Sequence, residues 1–398
     1  MASASTLSTV AFIFKKTYGD GIGDAASRDH PFFYNIRKVN KFRGESFKYS
    51  VKYGNPQGIG STIAIAQAGV ASSKGLQFEA VRFKKFGLIT LDGESLMASD
   101  GDDGALVELV TTESDGILAE LVDSLAYDLY RDGTGKRGKR LSASTNIITL
   151  TVADDARNFK VGMTVMASAN ANGSSPRTGT TTVAGVDEDL GTVTLTSAAA
   201  ITSFADADFL FRSGDPTTCV EGLEVCTPLT APVGGDSFRT KDRSVDAARL
   251  AGSRVANLNN VIEENAGDVA VKLNQRGRKA REYYLNPVNF FQVVKRQGAK
   301  VEYQGGGGTA DIFFETFSLH TSVGTLKVYS DPDCPIDRGR VVNPDDQYLR
   351  ILGEYPHVIM DDGQRSLRQT ADDGIEVRCR AMGNLIQKNT ASQGVHSI

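Results

Sequence analysis

The segment from Phe47 to Ala66 constrains the fold more than any other part of the chain. Phe47, Tyr49, Val51 and Tyr53 alternate with Lys48, Ser50 and Lys52, the period of two that places successive side chains on opposite faces of a strand. Gly54 to Gly60 (GNPQGIG) is dense in turn formers and Ser61 to Ala66 (STIAIA) alternates again, so the pattern predicts two strands joined as a hairpin. About 11 residues separate Phe47 from the tip, roughly 36 Å if extended. A 100-residue domain has a radius of gyration of only about 13 Å, so such an arm can leave its own domain. An isolated two-stranded hairpin is marginal in water, and a neighbouring subunit is the expected support. The expected contacts on the arm are Phe47, Lys48, Tyr49, Val51, Lys52, Tyr53, Ile59 and Ile63.

Charge is divided unevenly around this arm. Arg37 to Lys85 carries ten basic and two acidic residues, 10 − 2 = +8, whereas Phe86 to Asp132 carries one basic and twelve acidic, 1 − 12 = −11. One reading is two solvated faces of one domain. The other lays the basic stretch of one copy over the acidic stretch of the next, with Glu120, Asp123 and Asp128 as the receiving carboxylates, which sets register more than affinity. The net charge of −4 gives no overall basic field for tight nucleic-acid binding, although a lining that confines DNA needs none.

The acidic stretch contains a helix. Apolar residues at 117, 118, 121, 122, 125, 126, 129 and 130 form the stripe of an amphipathic helix of about five turns. Thr112 or Ser114 can cap its start and Gly133 can end it. A glycine and basic linker, Gly133 to Arg140, leads into a block rich in Thr, Val, Ala and Gly, 142–214. Short strands are expected there at Ile147 to Val152, Val161 to Ala167, Thr181 to Asp187, Thr192 to Ser197 and Asp208 to Arg212, which suggests a small inserted barrel or sandwich. Further on, a helix is expected from an N-cap at Ser244 through Leu250, Val255, Leu258 and Ile262, then a strand at Arg281 to Leu285. Asn286 and Pro287 open another helix that Gly298 stops, Gly305 to Gly308 is a loop, and strands follow at Thr325 to Ser330 and Ile375 to Arg380. Strands and helices alternate in the last third, so the fold class is α+β; at 398 residues two or three domains are expected.

No constellation for catalysis emerges. Gly133 to Lys136 fails as a phosphate-binding loop, because Arg137 stands where Ser or Thr belongs. His30, His320, His357 and His396 are scattered, with His396 in a frayed tail, His30 before Pro31, and His320 and His357 expected in local hydrogen bonds. Acidic pairs at Asp102 and Asp103, Asp361 and Asp362, and Asp372 and Asp373 lie at or near glycines and read as turns. Cys219, Cys226, Cys334 and Cys379 have no C-x-x-C pair and read as reduced thiols, so no metal or cofactor is expected. The longest early apolar run, Val10 to Phe14, is too short for a membrane or secretory segment, and a soluble, cytosolically made chain is expected.

The order of these parts resembles the major capsid proteins of tailed double-stranded DNA bacteriophages, with the fold first described for the Hong Kong phage shell. Local phrases carry the same resemblance: Asp132 to Gly138 (DGTGKRG), Phe159 to Met163 (FKVGM), Asp242 to Gly252 (DRSVDAARLAG), Leu285 to Phe291 (LNPVNFF) and Val328 to Pro335 (VYSDPDCP), with an Asp362 and Gly363 turn downstream. The resemblance implies an N-terminal arm at 1–41, an extended loop at 42–75, a peripheral domain with a spine helix at 76–141 and an inserted β domain at 142–214. It implies a mainly axial domain at 215–343 and a return to the core with a C-terminal tail at 344–398. It also implies a non-enzymatic shell builder, assembled in the bacterial cytoplasm into the virion as hexamers and pentamers. Its partners would be itself, portal and scaffolding proteins, a cement protein in some cases, and packaged DNA without sequence preference; no membrane is implied. Lys48, Lys52 and Lys74 lie in the loop, but the sequence places no acid and asparagine beside them, so the family's covalent cross-link is not carried over. A tail, baseplate or surface-adhesion protein is the alternative, since Thr-rich and Gly-rich β domains suit those also.

Overall fold

The computed structural model describes residues 29–92, 109–256, 261–298, 316–360, 363, 366–368 and 373–398. In chain order the elements begin with α1 (Pro31–Asn35), β1 (Lys38–Asn40), β2 (Ser46–Gly54), α2 (Ile63–Ala68), β3 (Lys74–Val81), β4 (Phe83–Asp92) and α3 (Leu109–Tyr130). Six strands follow: β5 (Lys136–Ser144), β6 (Ile147–Leu150), β7 (Thr164–Ser168), β8 (Thr181–Asp187), β9 (Thr192–Leu195) and β10 (Phe209–Arg212). Then come α4 (Leu223–Cys226), α5 (Ala247–Leu250), β11 (Ser253–Val255), α6 (Ile262–Gln275), β12 (Glu282–Leu285) and α7 (Pro287–Gly298). The chain closes with β13 (Thr316–Thr321), β14 (Gly324–Ser330), β15 (Arg338–Val342), β16 (Gln347–Ile351), β17 (His357–Val358), β18 (Leu367–Arg368), β19 (Gly374–Gln387) and β20 (Gly394–Ser397). The expected loop at Gly305 to Gly308 and the turns at Asp102, Asp361 and Asp372 lie outside the described residues.

The chain divides into two compact units, one containing Phe86–Leu121 and His357–Arg380, the other Asp29–Lys85, Val122–Pro356 and Ala381–Ile398. In the first, β17 and β18 run antiparallel to the early part of β19, with His357 opposite Arg380 and Leu367 opposite Glu376. Gly87 of β4 lies against Ile117 and Cys379 so closely that an added Cβ would fall 2.8 Å from the Ile117 side chain.

The second unit holds three assemblies besides the two-stranded β2–β3 ribbon. The inserted block closes into a barrel in the order β10, β5, β6, β9, β8, β7. Its interior is filled by the inward alternation of Ile148, Leu150, Val165, Ala167, Val183, Val193, Leu195 and Leu210, as in other small barrels. The barrel has one strand more than the sequence reading counted, because Lys136 to Arg140 is not a linker. Its basic side chains each find a partner: Lys136 with Asp132 at 2.6 Å, Arg137 with Ser124 at 2.8 Å, Lys139 over the Phe209 ring and Arg140 with Asp206 at 3.0 Å. A mixed sheet in the order β11, β20, β15, β12, β14, β13 carries α6 and α7. Ile262, Ala266, Val269 and Leu273 of α6 share one helical face and pack with Tyr283, Leu285, Val328 and Val341. Third, β1 runs parallel to β16, which pairs antiparallel with the late part of β19.

Two further expectations fail for local reasons. No helix runs from Ser244 to Ile262: Asp246 caps α5 by accepting the Arg249 N–H at 3.0 Å, and Gly252 turns the chain at φ +77° into β11. A Cβ at Gly252 would fall 2.6 Å from the Thr227 methyl group, so the turn is fixed by close approach as well as by φ. His396 is not in a frayed tail but fully buried in β20, in hydrogen-bond contact with the Tyr283 hydroxyl at 2.7 Å.

Candidate assembly surface

The hairpin exists with a different return strand. Ser46–Gly54 pairs antiparallel with Lys74–Val81, placing Tyr49 opposite Phe78, Val51 opposite Leu76 and Phe47 opposite Ala80. Ser61 to Ala66 is not a strand. Thr62 caps α2 by accepting the Ile65 N–H at 3.3 Å, and Ala64, Ala66, Gln67 and Ala68 are strong helix formers. The alternating Ile and Ala imitates a strand, but the cap and the Ala-rich composition carried the correct signal.

The inner half of the hairpin is anchored on its own chain. Val51 is only 7% exposed and Phe78 is fully buried, its ring 5.7 Å from that of Phe238. Arg239 donates from Nε to Glu221 at 2.8 Å, from Nη1 to the Tyr49 hydroxyl at 2.7 Å and from Nη2 to the Leu385 carbonyl at 2.7 Å. Those three bonds hold Arg239 at φ +47°, a left-handed conformation that side chains with a Cβ rarely adopt. Burial pushes the Tyr49 hydroxyl up to about 12 although the Arg239 charge opposes this, so it stays a neutral acceptor. Arg350 lies over the Phe47 ring, 3.7 Å from its centroid. Tyr49→Phe removes one partner of a buried guanidinium and is expected to lower unfolding stability by about 2 kcal/mol, read from the urea midpoint at constant slope.

The outer half has no such support. None of the six residues of α2 is buried. Ile59 is 89% exposed and Val70 72%, and Ile63 and Ile65 are also exposed. Lys52 is exposed and Tyr53 half-buried, while Lys48 is exposed and lies 3.7 Å from the cross-strand Glu79. Ile65 and Val70 thus join the candidate contacts, and neither was named from the sequence.

The carboxylates expected to receive a neighbour's arm are placed otherwise. Asp128, 2% exposed, is bonded to Lys85 at 2.6 Å, and Asp215 stands 3.5 Å from the same lysine. Asp123 accepts from Lys160 and from His30 Nε2 at 2.7 Å. His30 Nδ1 meets Asp333 at 2.6 Å, and Asp331 accepts the Phe32 N–H at 3.0 Å and the Tyr130 hydroxyl at 2.8 Å. The physical reason is that α3 from Ser124 to Tyr130 is buried all round, so its polar side is met by cations of the same chain. Asp123 and Asp128 are therefore internal ties rather than docking groups; Glu120 lies in the other unit, half-buried.

The four cysteines are free and buried, and burial raises the Cys219 and Cys334 thiols well above their ordinary range. Among the described residues no group of three or more His, Cys, Asp or Glu is placed to hold a metal, and no helix is long and apolar enough to cross a membrane.

No protein-family model matches the chain, and no curated protein matches it in sequence. Solved structures do match in shape. A chain of the cyanophage A-1(L) capsid asymmetric unit aligns over 98% of this chain and 99% of its own with a TM-score of 0.60 at 11% identity. A chain of the capsid of an empty GTA particle aligns over 100% and 99% with a TM-score of 0.55 at 9% identity. A chain from Microbacterium phage Oxtober96 aligns over 100% and 99% with a TM-score of 0.51 at 7% identity. At such low identity the likeness speaks for the fold, and the chain carries the α+β phage capsid fold over its whole length.

Proposed function

We propose that this chain is the major capsid protein of a tailed phage, a structural and non-enzymatic protein whose copies close into an icosahedral head around double-stranded DNA. The observation that carries the proposal is end-to-end coverage by a capsid chain, 98% of one and 99% of the other, with the inserted barrel included. In this reading 1–41 is the N-terminal arm, 42–75 the extended loop, whose return strand runs on to Val81, 76–141 the peripheral domain, 142–214 the insertion, whose barrel also takes in β5 from Lys136, and 215–343 mainly the axial domain, with 344–398 returning to the core. The exposed aliphatic tip of the hairpin supports contact with a second copy, within hexamers and pentamers. Each contact is modest, and closure of the shell multiplies it. Draped arms favour interfaces above the standard size of about 1,600 Å². Assembly in the bacterial cytoplasm, with portal and scaffolding proteins and in some cases a cement protein, belongs to the same proposal.

Electron microscopy of the purified native assembly tests it. Closed shells, or hexamers and pentamers, are expected. Only monomers or dimers under every assembly condition would sink the proposal, and open tubes or rings would favour a tail component.

A further inference from the structure

A pocket of about 160 Å³ lies between the turn that links α6 to β12 and the hairpin of β13 and β14. Its floor is apolar, with Ala270, Ala280, Val323 and Leu326, while its rim carries Arg278, Lys279 and Arg281. The turn is fixed: Gly277 sits at φ +71°, and the Arg278 N–H bonds back to the Leu273 carbonyl at 3.0 Å. That bond, with those from Arg276 to Leu273 and Gly277 to Asn274, occupies two of the last carbonyls of α6, which would otherwise repel an anion.

The charge at the rim is not balanced. Arg281 pairs with Asp345 at 2.9 Å, and both side chains are largely exposed. Arg278 and Lys279 are exposed, and among the described residues neither has an ion-pair partner. Glu282, next along β12, is half-buried and accepts from the Tyr284 hydroxyl at 2.9 Å. Asn274 adds an exposed amide to the lining. A concave site lined by two unpaired cations and an amide donor, with no carboxylate among its lining residues, selects a compact oxyanion.

We infer that this pocket binds a phosphate group, gripped by Arg278 and Lys279 at the rim, either as the free ion or as part of a nucleic-acid backbone. The nucleic-acid source rests on the capsid reading; the pocket itself does not.

Calorimetric titration of the full chain at low salt tests it with three probes: inorganic phosphate, pyrophosphate and a 20-base-pair DNA duplex. Arg278→Ser with Lys279→Ser removes two exposed charges, and the thermal midpoint serves as the folding control. Lys295→Ser with Arg296→Ser on α7 controls for general loss of positive charge. Phosphate or pyrophosphate affinity is expected to fall at least tenfold in the first double variant and to change less than twofold in the second. If the duplex loses affinity in parallel, with a salt slope lower by about 1 to 2, the backbone is a source of the group; if only the small ions respond, the site serves the free ion. Absence of phosphate and pyrophosphate binding by the unmodified chain, or equal binding by the first double variant, overturns the inference. Because binding is read without assembly, that failure leaves the capsid reading untouched, and a failure of assembly leaves the pocket untouched.

Discussion

Replacing residues 53–74 by Asn-Gly is expected to give a chain that folds normally and no longer assembles. The replacement joins β2 to β3 at the facing pair Lys52 and Gly75, where a two-residue Asn-Gly turn matches the twist of the strands. It removes Ile59, Ile63, Ile65 and Val70 while leaving the anchors Phe47, Tyr49, Val51 and Phe78 in place. None of α2 is buried, so the unfolding free energy should change by less than about 1 kcal/mol. Four aliphatic side chains, at about 1.5 to 3 kcal/mol each when fully buried, represent a gross gain of about 6 to 12 kcal/mol per hairpin before the cost of association. Losing a term of that size at every contact should abolish shells, as seen by light scattering and electron microscopy of chain co-expressed with its assembly partners. Shells of normal size would refute the role of the tip, and loss of folding would show that the tip stabilises its own chain.

How far the sequence could be read depended on whether a signal was local. The barrel strands β8 and β9, the N-cap at Asn286 and strand β2 follow from period, turn chemistry and capping, all short-range properties. The long helix was legible from its Leu stripe, but the fate of its acidic side was not. Asp123 and Asp128 find Lys160, His30 and Lys85, residues 37, 93 and 43 positions away, and charge summed along a segment cannot name such partners. For the same reason Lys136 to Arg140 read as a basic linker, although Arg137 is buried against Ser124 and Asp215. The anchor of the hairpin was equally hidden, since Arg239 acts from a left-handed turn that no propensity favours. Of the expected contacts, Ile59 and Ile63 are exposed, whereas Val51 is covered by its own chain and Tyr49 is bonded to Arg239. The sequence could not separate the two pairs, because alternation records which face a side chain takes and not which chain covers it.

His30 carries the other large expectation. It is 1% exposed and joins Asp123 of α3 to Asp333, which fastens the start of the described chain to two distant segments. Burial alone would push the imidazole down, but the hydrogen bonds and charges of the two aspartates prevail and raise it to about 10. The depressed Asp123 carboxyl, where bonds from His30 and Lys160 outweigh burial, is the same interaction seen from its partner. With an unfolded value near 6.5, the stabilisation by His30 is fully present below about pH 6.5 and is lost as pH rises through about 10, on the order of 5 kcal/mol in all. His396, buried neutral and lowered to about 4, acts in the separate window below pH 6.5, so measurement above that value avoids it. Asp331 shifts the same way as His30, raised by burial and by Asp333, so the unmodified protein alone cannot assign the slope. His30→Ala does so: it leaves the buried Asp333 carboxylate without its cation and Asp123 with Lys160 alone, and is expected to cost about 3 to 5 kcal/mol at pH 6.5, by analogy with broken buried ion pairs. The gap between the two proteins in urea unfolding should narrow steadily from pH 6.5 to pH 10. A cost below about 1 kcal/mol at pH 6.5, or a gap that stays constant over that range, would mean that hydrogen bonding by a neutral imidazole, rather than its charge, secures the segment.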